Sequence, residues 1–293
     1  TAGYAQAILA LANAGADVIV DDIRQLDEPM FQDGPIAQAV DTVVDRGVAY
    51  FASAGNYGNK SYENAFNPGS TFADNAFDPM FEGGVAHDFD LGTGIDHFQQ
   101  ITLPAVPVGG GSINYRFIFQ WDEPFAFNGA SGSSNDMDIY LFDNNLANPT
   151  LLALSADNNV EIAGNGRNPL EILEFGRLAG SPQAQFNLMI VRSQTTTGSN
   201  PGLMKYVIRQ NVNGVTIDEH NSATRSTGYG HSSAVGAQAV GAAYFGQTPN
   251  FGTNPPVKED FSSIGSIQIL FDKAGSRLPT PQNRLKPEIV APD

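Results

Sequence analysis

Residues 34–59 read GPIAQAVDTVVDRGVAYFASAGNYGN and contain a helix, a strand and a tight turn in succession. Pro35 near the first helical turn and Gly47 after the last one mark the two ends of the predicted helix. VAYFASA (48–54) then predicts a strand that stops at Ser-Ala-Gly-Asn. The apolar strand therefore ends on small residues and on one amide side chain, that of Asn56.

The same order of elements precedes this stretch. AGYAQAILALANAG (2–15) predicts a helix closed by a glycine, and DVIVDDI (17–23) predicts a short β-branched strand. Helix, strand, helix and strand with short connections indicate a parallel sheet. The α/β pattern returns after about residue 225, since AQAVGAAYF (237–245) and KPEIVAP (286–292) also predict strands.

The sequence pattern of residues 85–220 is different, because it lacks helical periodicity. Their short, often alternating apolar runs are separated by Gly, Asn, Ser and Pro, which is typical of an all-β sandwich or jelly roll. We therefore predict an α/β domain over 1–60 and 225–293, with a partial parallel sheet and flanking helices. The β-sandwich over 85–220 interrupts it as an insert, and 61–84 is expected to be a linker.

The composition excludes several classes of function. With 31 acidic and 15 basic residues the net charge is −16, which is unsuited to binding nucleic acid. The absence of cysteine excludes disulfides, thiolate zinc sites and a cysteine nucleophile. No apolar run approaches the ~18 residues of a membrane span. Carboxylate-rich surfaces do suit Ca²⁺, a hard ion that takes several oxygen ligands.

The position of Asn56 permits two interpretations. Functional groups gather at the carboxyl ends of parallel strands, and an amide can donate two hydrogen bonds to a developing oxyanion without ionising. Alternatively, Asn56 only terminates a strand, as asparagine often does.

Four segments together resemble the subtilisin-like serine proteases. The first runs from ADVIVDDI (16–23) through VVDRGVAYF (43–51) to SAGN (53–56). STGYGHSSAVGAQAVGAAYF (226–245), KEDFSSIGS (258–266) and RLKPEIVAPD (284–293) are similar to further segments of that family, in the family's order. The resemblance covers roughly residues 1–60 and 225–293. It implies hydrolysis of peptide bonds in protein or peptide substrates by a serine nucleophile.

The resemblance also implies roles for individual residues. Asn56 would be the side chain of the oxyanion hole. The edge that pairs with an extended substrate would be Asp22, Ile23 and Arg24, where the family has a Ser-Leu-Gly-like sequence, and the acidic pair Asp21–Asp22 could favour basic substrate residues. One wall of the specificity pocket would be Ser53, Ala54 and Gly55, with Gly228 and Tyr229 near its other side.

The family's triad motifs, D[TS]G, HGTxVA and GTSxAxP, do not occur in this sequence. We therefore expect the chain to be a piece of a larger endopeptidase whose triad lies outside it, and to be inactive by itself. A pseudoprotease that keeps the fold for binding is the alternative. An internal triad of His231, Asp260 and Ser262 is disfavoured because GHSSAV does not form a nucleophile elbow. The pair Asp96–His97 is expected in a turn of the insert.

The insert resembles a prepeptidase C-terminal-type β-sandwich, through FQWDEPF (119–125), SSNDMDIYLFD (133–143) and NPLEILEF (168–175). Such domains accompany secreted bacterial proteases, which implies a secreted or cell-surface protein. Trp121 is expected in the core, with carbohydrate stacking as the alternative.

The insert also contains candidate calcium ligands. They are Asp136, Asp138, Asp143, Asp157 and Glu171. Strand alternation places Asp136 and Asp138 on one face, where their charges repel unless solvated or bridged by a cation. The alternative is a set of solvated turn acids. If calcium binds, a further hypothesis is that the insert is a Ca²⁺-dependent substrate-docking or adhesion module.

Overall fold

The computed structural model describes residues 2–160, 167–194, 196, 198–210, 213–221 and 225–293. Within these ranges the helices are α1 (Ala2–Asn13) and α2 (Pro35–Val44). The strands, in chain order, are β1 (Val18–Asp21), β2 (Ala49–Ser53), β3 (Ser61–Asn64), β4 (Pro68–Phe72), β5 (Gly84–His87), β6 (Gln99–Leu103), β7 (Ile113–Trp121), β8 (Met137–Phe142), β9 (Leu151–Ser155), β10 (Leu170–Arg177), β11 (Ala184–Ser193), β12 (Met204–Arg209), β13 (Thr216–Ile217), β14 (Gln238–Ala243), β15 (Ile267–Phe271), β16 (Arg277–Arg284) and β17 (Ile289–Pro292). The protein is thus a mixed α/β chain that is rich in sheet. Neither helix is long and apolar enough to cross a membrane.

The chain divides into two compact units. The α/β unit comprises Thr1–Asn59, Phe127–Ala130 and Arg225–Asp293, and the β unit comprises Lys60–Ala126 and Ser131–Thr224.

The prediction that residues 61–84 form a linker is wrong. This segment contains β3, which pairs with β12, and β4, which pairs with β5, so it belongs to the β unit. These strands are short, and β12 lies about 140 residues further along the chain, so local sequence gave little indication of them.

The α/β unit is built on the predicted parallel sheet. Its strand order is β1-β2-β14-β17, and all three pairings are parallel. One face of the sheet packs against both helices in a core that includes Ile8, Ile19, Val40 and Tyr50. Since parallel strands point the same way, the four carboxyl ends lie at one edge of the sheet.

A hairpin of β15 and β16 completes this unit and was not predicted, because RLPTPQNR (277–284) is polar and contains two prolines. Arg284 holds it in place by a buried, two-pronged ion pair with Asp33, with N–O distances of 2.7 and 2.8 Å. Such fork-to-fork geometry is the stronger form of a carboxylate–guanidinium contact.

The β unit is all-β, as the alternating runs predict. One sheet has the order β10-β7-β12-β3, and the other has β13-β6-β11-β5-β4 with β8 and β9 attached through β11. Both contribute to one core, with Phe117 and Trp121 from the first sheet and Ile101, Ile139 and Leu188 from the second. Two sheets sharing one core form a sandwich. Trp121 is fully buried, which agrees with a core role and leaves no face for stacking on a carbohydrate.

Candidate functional site

The carboxyl edge of the parallel sheet opens into a cleft of about 470 Å³. The lining includes the ends of all four strands. The predicted oxyanion and substrate-contact residues Asp22, Ser53, Gly55 and Asn56 contribute to it, together with Asp21 and Ser262. This is the place where α/β sheets bind ligands, because the loops that leave the strands meet there. The sequence predicted the position of the cleft through the strand-end argument.

The Asn56 side chain is exposed in this cleft. Within the described ranges no group hydrogen-bonds to its amide. An asparagine that only terminated a strand would use its side chain on the local backbone, as Asx-turns do. In the part of the chain that the structure describes, nothing therefore competes with a ligand in the cleft for the two donor hydrogens of the amide.

The turn that carries Asn56 is held by the segment 261–263. The Gly58 N–H donates to the Phe261 carbonyl at 2.7 Å, and the Ser263 N–H donates to the Gly55 carbonyl at 2.9 Å. The Tyr57 N–H donates to Ser263 Oγ at 3.2 Å. Sequence reasoning identified KEDFSSIGS only as a family-like segment and missed this clamping function, since hydrogen bonds about 200 residues apart leave no local pattern.

Both glycines of the turn are required by its geometry. Gly55 and Gly58 have φ angles of +93° and +52°, which side chains of L-residues rarely adopt. A Cβ on Gly58 would lie 2.6 Å from the Asp260 carbonyl oxygen, and one on Gly55 would lie 3.2 Å from Ser263 Oγ. The turn is thus both tightly packed and conformationally restricted, which fixes the backbone next to Asn56.

Arg24 corrects the expectation of an open pocket. Its guanidinium donates to the carbonyl oxygens of Ser53 at 3.1 Å and Ala54 at 3.2 Å, and it also binds the Tyr229 carbonyl. It lies 4.9 Å from the centre of the Tyr229 ring, a cation–π distance. The structure therefore brings the two predicted pocket walls together, but a side chain of the protein occupies the space between them.

The remaining predicted substrate-contact residues are spread over different environments. Ala54 and Gly228 border a gap of about 10 Å³, which is too small for a substrate group. Ile23 is 55% exposed beyond the end of β1, which is an edge strand. Asp22 is exposed and lines the cleft. Of the predicted set, then, only part of the first wall and Asp22 face open space in the cleft.

Asp21 belongs to a buried network that the sequence did not reveal. His231 Nδ1 lies 2.8 Å from Glu28 Oε2, and His231 Nε2 lies 3.2 Å from Asp21 Oδ1. The Tyr50 hydroxyl also donates to Asp21. His231 is 1% exposed and lies between two carboxylates, so we assign it a structural role. Of the acidic pair that was expected to favour basic substrate residues, only Asp22 is therefore available, because Asp21 is already bound to His231 and Tyr50.

The internal triad is not assembled. His231 contacts Glu28 and Asp21, whereas Ser262 Oγ accepts a hydrogen bond from the Ala242 N–H at 3.0 Å. In the β unit His97 lies in a loop, as expected, and its Nε2 accepts a hydrogen bond from the Ser70 N–H at 2.9 Å. Neither histidine is placed to deprotonate a serine.

The His231 network makes stability depend on pH. Burial alone would lower the pKa of His231, but the hydrogen bonds and charges of Asp21 and Glu28 outweigh it and raise that pKa from 6.5 to about 9. Because the folded pKa is raised, the stabilisation is complete below pH ~6.5 and is lost as pH rises towards ~9. The shift corresponds to about 3 kcal/mol of unfolding free energy.

Denaturant unfolding at pH 6 and pH 9.5 tests this prediction. The parent chain should lose about 3 kcal/mol more than a His231→Gln variant between these values, whereas the control His220→Gln, at a partly exposed histidine, should behave like the parent. An NMR titration of the parent should give a His231 pKa near 9. A measured pKa at or below the ordinary histidine value would contradict the charged network.

The candidate calcium ligands of the β unit separate into two groups. Asp136, Asp138 and Glu171 are buried, with 1–2% exposure, which contradicts the alternative of solvated turn acids for these three. Asp157 is exposed and Asp143 is partly exposed, as that alternative expects. Alternation predicted the shared face of Asp136 and Asp138, but it could not predict what covers that face.

A second cluster, which sequence reasoning missed, combines Asp96, Glu219 and His220. Each residue offers one ligand atom, and these atoms lie within 4.8 Å of one another. The His220 ring nitrogen pairs with Asp96 at 3.1 Å, and Glu219 accepts the Gln100 N–H at 2.9 Å. Since these polar atoms already have protein partners, the arrangement is explained without an ion.

Comparisons with known proteins give little further guidance. No protein-family model and no curated protein matches the chain. Among solved structures, the CspB protease of Clostridium perfringens is similar, with a TM-score of 0.44 and 11% sequence identity over 97% of this chain. The chain spans 50% of the length of that protease. A likeness of this degree carries no argument about function.

Proposed function

We propose that the cleft of the α/β unit is the oxyanion side of a subtilisin-like serine endopeptidase site. The observation that carries the proposal is the Asn56 amide, which has no hydrogen-bond partner among the described residues and is exposed in a cleft at the carboxyl edge of a parallel sheet. Acyl transfer from a peptide bond creates a negative oxygen in its tetrahedral intermediate. A neutral amide donor aimed at that oxygen stabilises the transition state more than the substrate.

The rigidity of the turn supports this role. An oxyanion donor lowers the barrier only if it needs no reorganisation during the reaction. The hydrogen bonds from Gly58 to Phe261 and from Ser263 to Gly55, together with the positive φ angles of both glycines, hold the backbone on each side of Asn56. An asparagine that only terminated a strand would not require the backbone on both sides of it to be held in this way.

The cleft also suits an extended peptide. Its lining contains the small residues Ala52, Ser53, Gly241 and Ala242, so a peptide backbone can come close to the sheet edge. Asp22 supplies a carboxylate that would favour a basic residue of the substrate. The proposed substrate class is therefore a protein or peptide in extended conformation, paired against the edge that follows β1.

In this proposal the nucleophile, the general base and its orienting carboxylate come from chain segments outside these 293 residues. They would act as in other serine proteases: the histidine takes the serine proton and the aspartate holds the imidazolium. The part of the chain described above would contribute the Asn56 amide and one side of the cleft.

A fluorophosphonate probe, which labels activated serines, tests the proposed class. We expect labelling of the full-length protein at a serine outside residues 1–293, and no labelling of the 293-residue chain alone, with heat-denatured samples as blanks. Labelling of a serine inside the 293 residues would contradict the assignment of roles. A full-length protein that is not labelled would support the pseudoprotease instead.

A further inference from the structure

The segment that follows β14 carries a row of exposed aromatic side chains. Tyr244, Phe245 and Phe251 are 47%, 51% and 63% exposed. The ring centres of Tyr244 and Phe245 lie 5.0 Å apart, and those of Phe245 and Phe251 lie 5.7 Å apart. The three rings therefore form one continuous apolar surface, which we call the aromatic patch.

An exposed patch of this kind differs from single exposed apolar side chains. Isolated ones are common on soluble proteins and need no explanation. Rings that touch one another and still face water leave a contiguous apolar area, and contact with a partner would remove that area from water. Contiguous apolar areas of this kind are typical of surfaces that bind another molecule.

The backbone that carries the aromatic patch is held by local contacts. The hydroxyl of the buried Thr248 donates to the Phe245 carbonyl at 2.8 Å, and the Thr248 carbonyl accepts the Phe251 N–H at 2.9 Å. Gly246 leaves room for the Tyr244 ring, since a Cβ on Gly246 would lie 2.8 Å from Cε1 of that ring. A surface that is already formed loses little conformational entropy when it binds a partner.

Both ends of the segment that carries the patch belong to the cleft. Ala242 lines the cleft just before the patch begins, and Phe261 lines it where the chain returns. The Glu259 N–H donates to the Ala242 carbonyl at 2.9 Å, which ties the returning chain to the end of β14. Asp293, which also lines the cleft, donates its N–H to the Ala243 carbonyl at 2.8 Å. The aromatic patch is therefore continuous with the cleft on the side of β14 and β17.

We propose that the aromatic patch binds apolar side chains of the same extended peptide whose scissile bond lies at Asn56, an inference that rests on the proposed function. In the sheet, β1 and β14 lie on opposite sides of β2, and the turn with Asn56 follows β2. A peptide that pairs with the edge after β1 on one side of its scissile bond would therefore extend towards the patch on the other side.

The distances in a sheet allow one peptide to reach both surfaces. Neighbouring strands lie about 4.8 Å apart, and an extended peptide spans about 3.4 Å per residue, so about two to four residues past the scissile bond cross β14. The cleft would then select for two features of the substrate. One is a basic residue near Asp22, and the other is a pair or triplet of apolar residues on the far side of the scissile bond.

Binding of fluorescent peptides to the full-length protein, measured by anisotropy, tests this inference separately from catalysis. The peptides are about 12 residues long, an extended span of ~40 Å, and their central peptide bond is reduced so that it cannot be cleaved. One carries Leu-Phe-Leu towards its amino end, one carries it towards its carboxyl end, and one carries Ser-Gly-Ser at both places. We expect one of the two apolar peptides to bind about 10-fold more tightly than the polar peptide.

Variants of the patch assign this preference to its rings. The double variant Phe245→Ser/Phe251→Ser should bring the affinities of apolar and polar peptides within about twofold of each other, and the affinity for the polar peptide should not change. Phe251→Leu keeps an apolar side chain and should keep most of the preference. The control Leu11→Ala changes a side chain of α1 that is 50% exposed, and it should behave like the parent.

The inference is wrong if neither apolar peptide binds more tightly than the polar one, which is also the result expected if another part of the full-length protein, or a second copy of it, covers the patch. It is equally wrong if the double variant keeps the parent's preference. Cleavage of the unreduced peptides is scored separately. A preference that depends on Phe245 and Phe251 without any cleavage supports the patch and rejects the endopeptidase, whereas cleavage without a preference rejects the patch alone.

Discussion

Replacing Asn56 by alanine in the full-length protein is expected to lower kcat by roughly 10²–10³ and to leave KM nearly unchanged. The amide has no partner within the described residues, so its removal costs the resting protein nothing. The loss falls on the transition state, where the oxyanion would lack one donor. Steady-state kinetics on a chromogenic peptide measure both parameters, and the free energy of unfolding should change by less than ~0.5 kcal/mol.

Asn59 provides the matched control. It is an exposed asparagine three residues further along the chain, and it does not line the cleft. Asn59→Ala should keep the parent's kcat and KM. An Asn56→Ala enzyme with unchanged kcat would remove the side chain from the proposed machinery. A rise in KM with constant kcat would show that Asn56 binds substrate and transition state equally.

Replacing Gly58 by alanine is expected to destabilise the α/β unit by about 3 kcal/mol or more. Two costs combine, because the residue has a φ of +52° and its new Cβ would meet the Asp260 carbonyl oxygen at 2.6 Å. Relief of that clash requires the clamp from Phe261 to move. In the full-length protein the same change should lower kcat, since the turn that holds Asn56 shifts with it.

The Gly47→Ala variant separates the cost of the backbone conformation from the cost of the contact that a Cβ at position 58 would make with Asp260. Gly47 also has a positive φ, of +92°, but a Cβ there would meet no atom within 4 Å. This control should lose only about 1–2 kcal/mol, the cost of the backbone conformation. Equal losses in the two variants, measured by denaturant unfolding, would show that the contact with Asp260 contributes nothing.

The sequence predicted those parts of the fold that depend on local patterns. Helices α1 and α2 and the strands of the parallel sheet follow from periodicity, Pro35 and closing glycines, and the strand-end rule places Asn56 at the cleft. The short strands β3 and β4 and the hairpin β15–β16 were missed, because pairing with distant strands stabilises them against an unfavourable local composition.

The errors at the site have one physical origin, which is contact between residues far apart in sequence. Arg24 binds the Tyr229 carbonyl 205 positions away, and Asp21 binds His231 210 positions away. Neither sequence neighbourhood contains a signal for the other. The glycines at positions 55 and 58 indicate a turn in the sequence, but only the folded chain shows that residues 261–263 hold that turn.

The most direct test of the proposed function is a crystal structure of the full-length protein with a peptide boronate, which mimics the tetrahedral intermediate. We expect the peptide to occupy the cleft at the carboxyl edge of the parallel sheet. Asn56 Nδ2 should lie about 2.7–3.1 Å from the boronate oxygen that represents the oxyanion. A boronate bound elsewhere, or bound in the cleft with Asn56 out of hydrogen-bonding reach of that oxygen, would contradict the assignment.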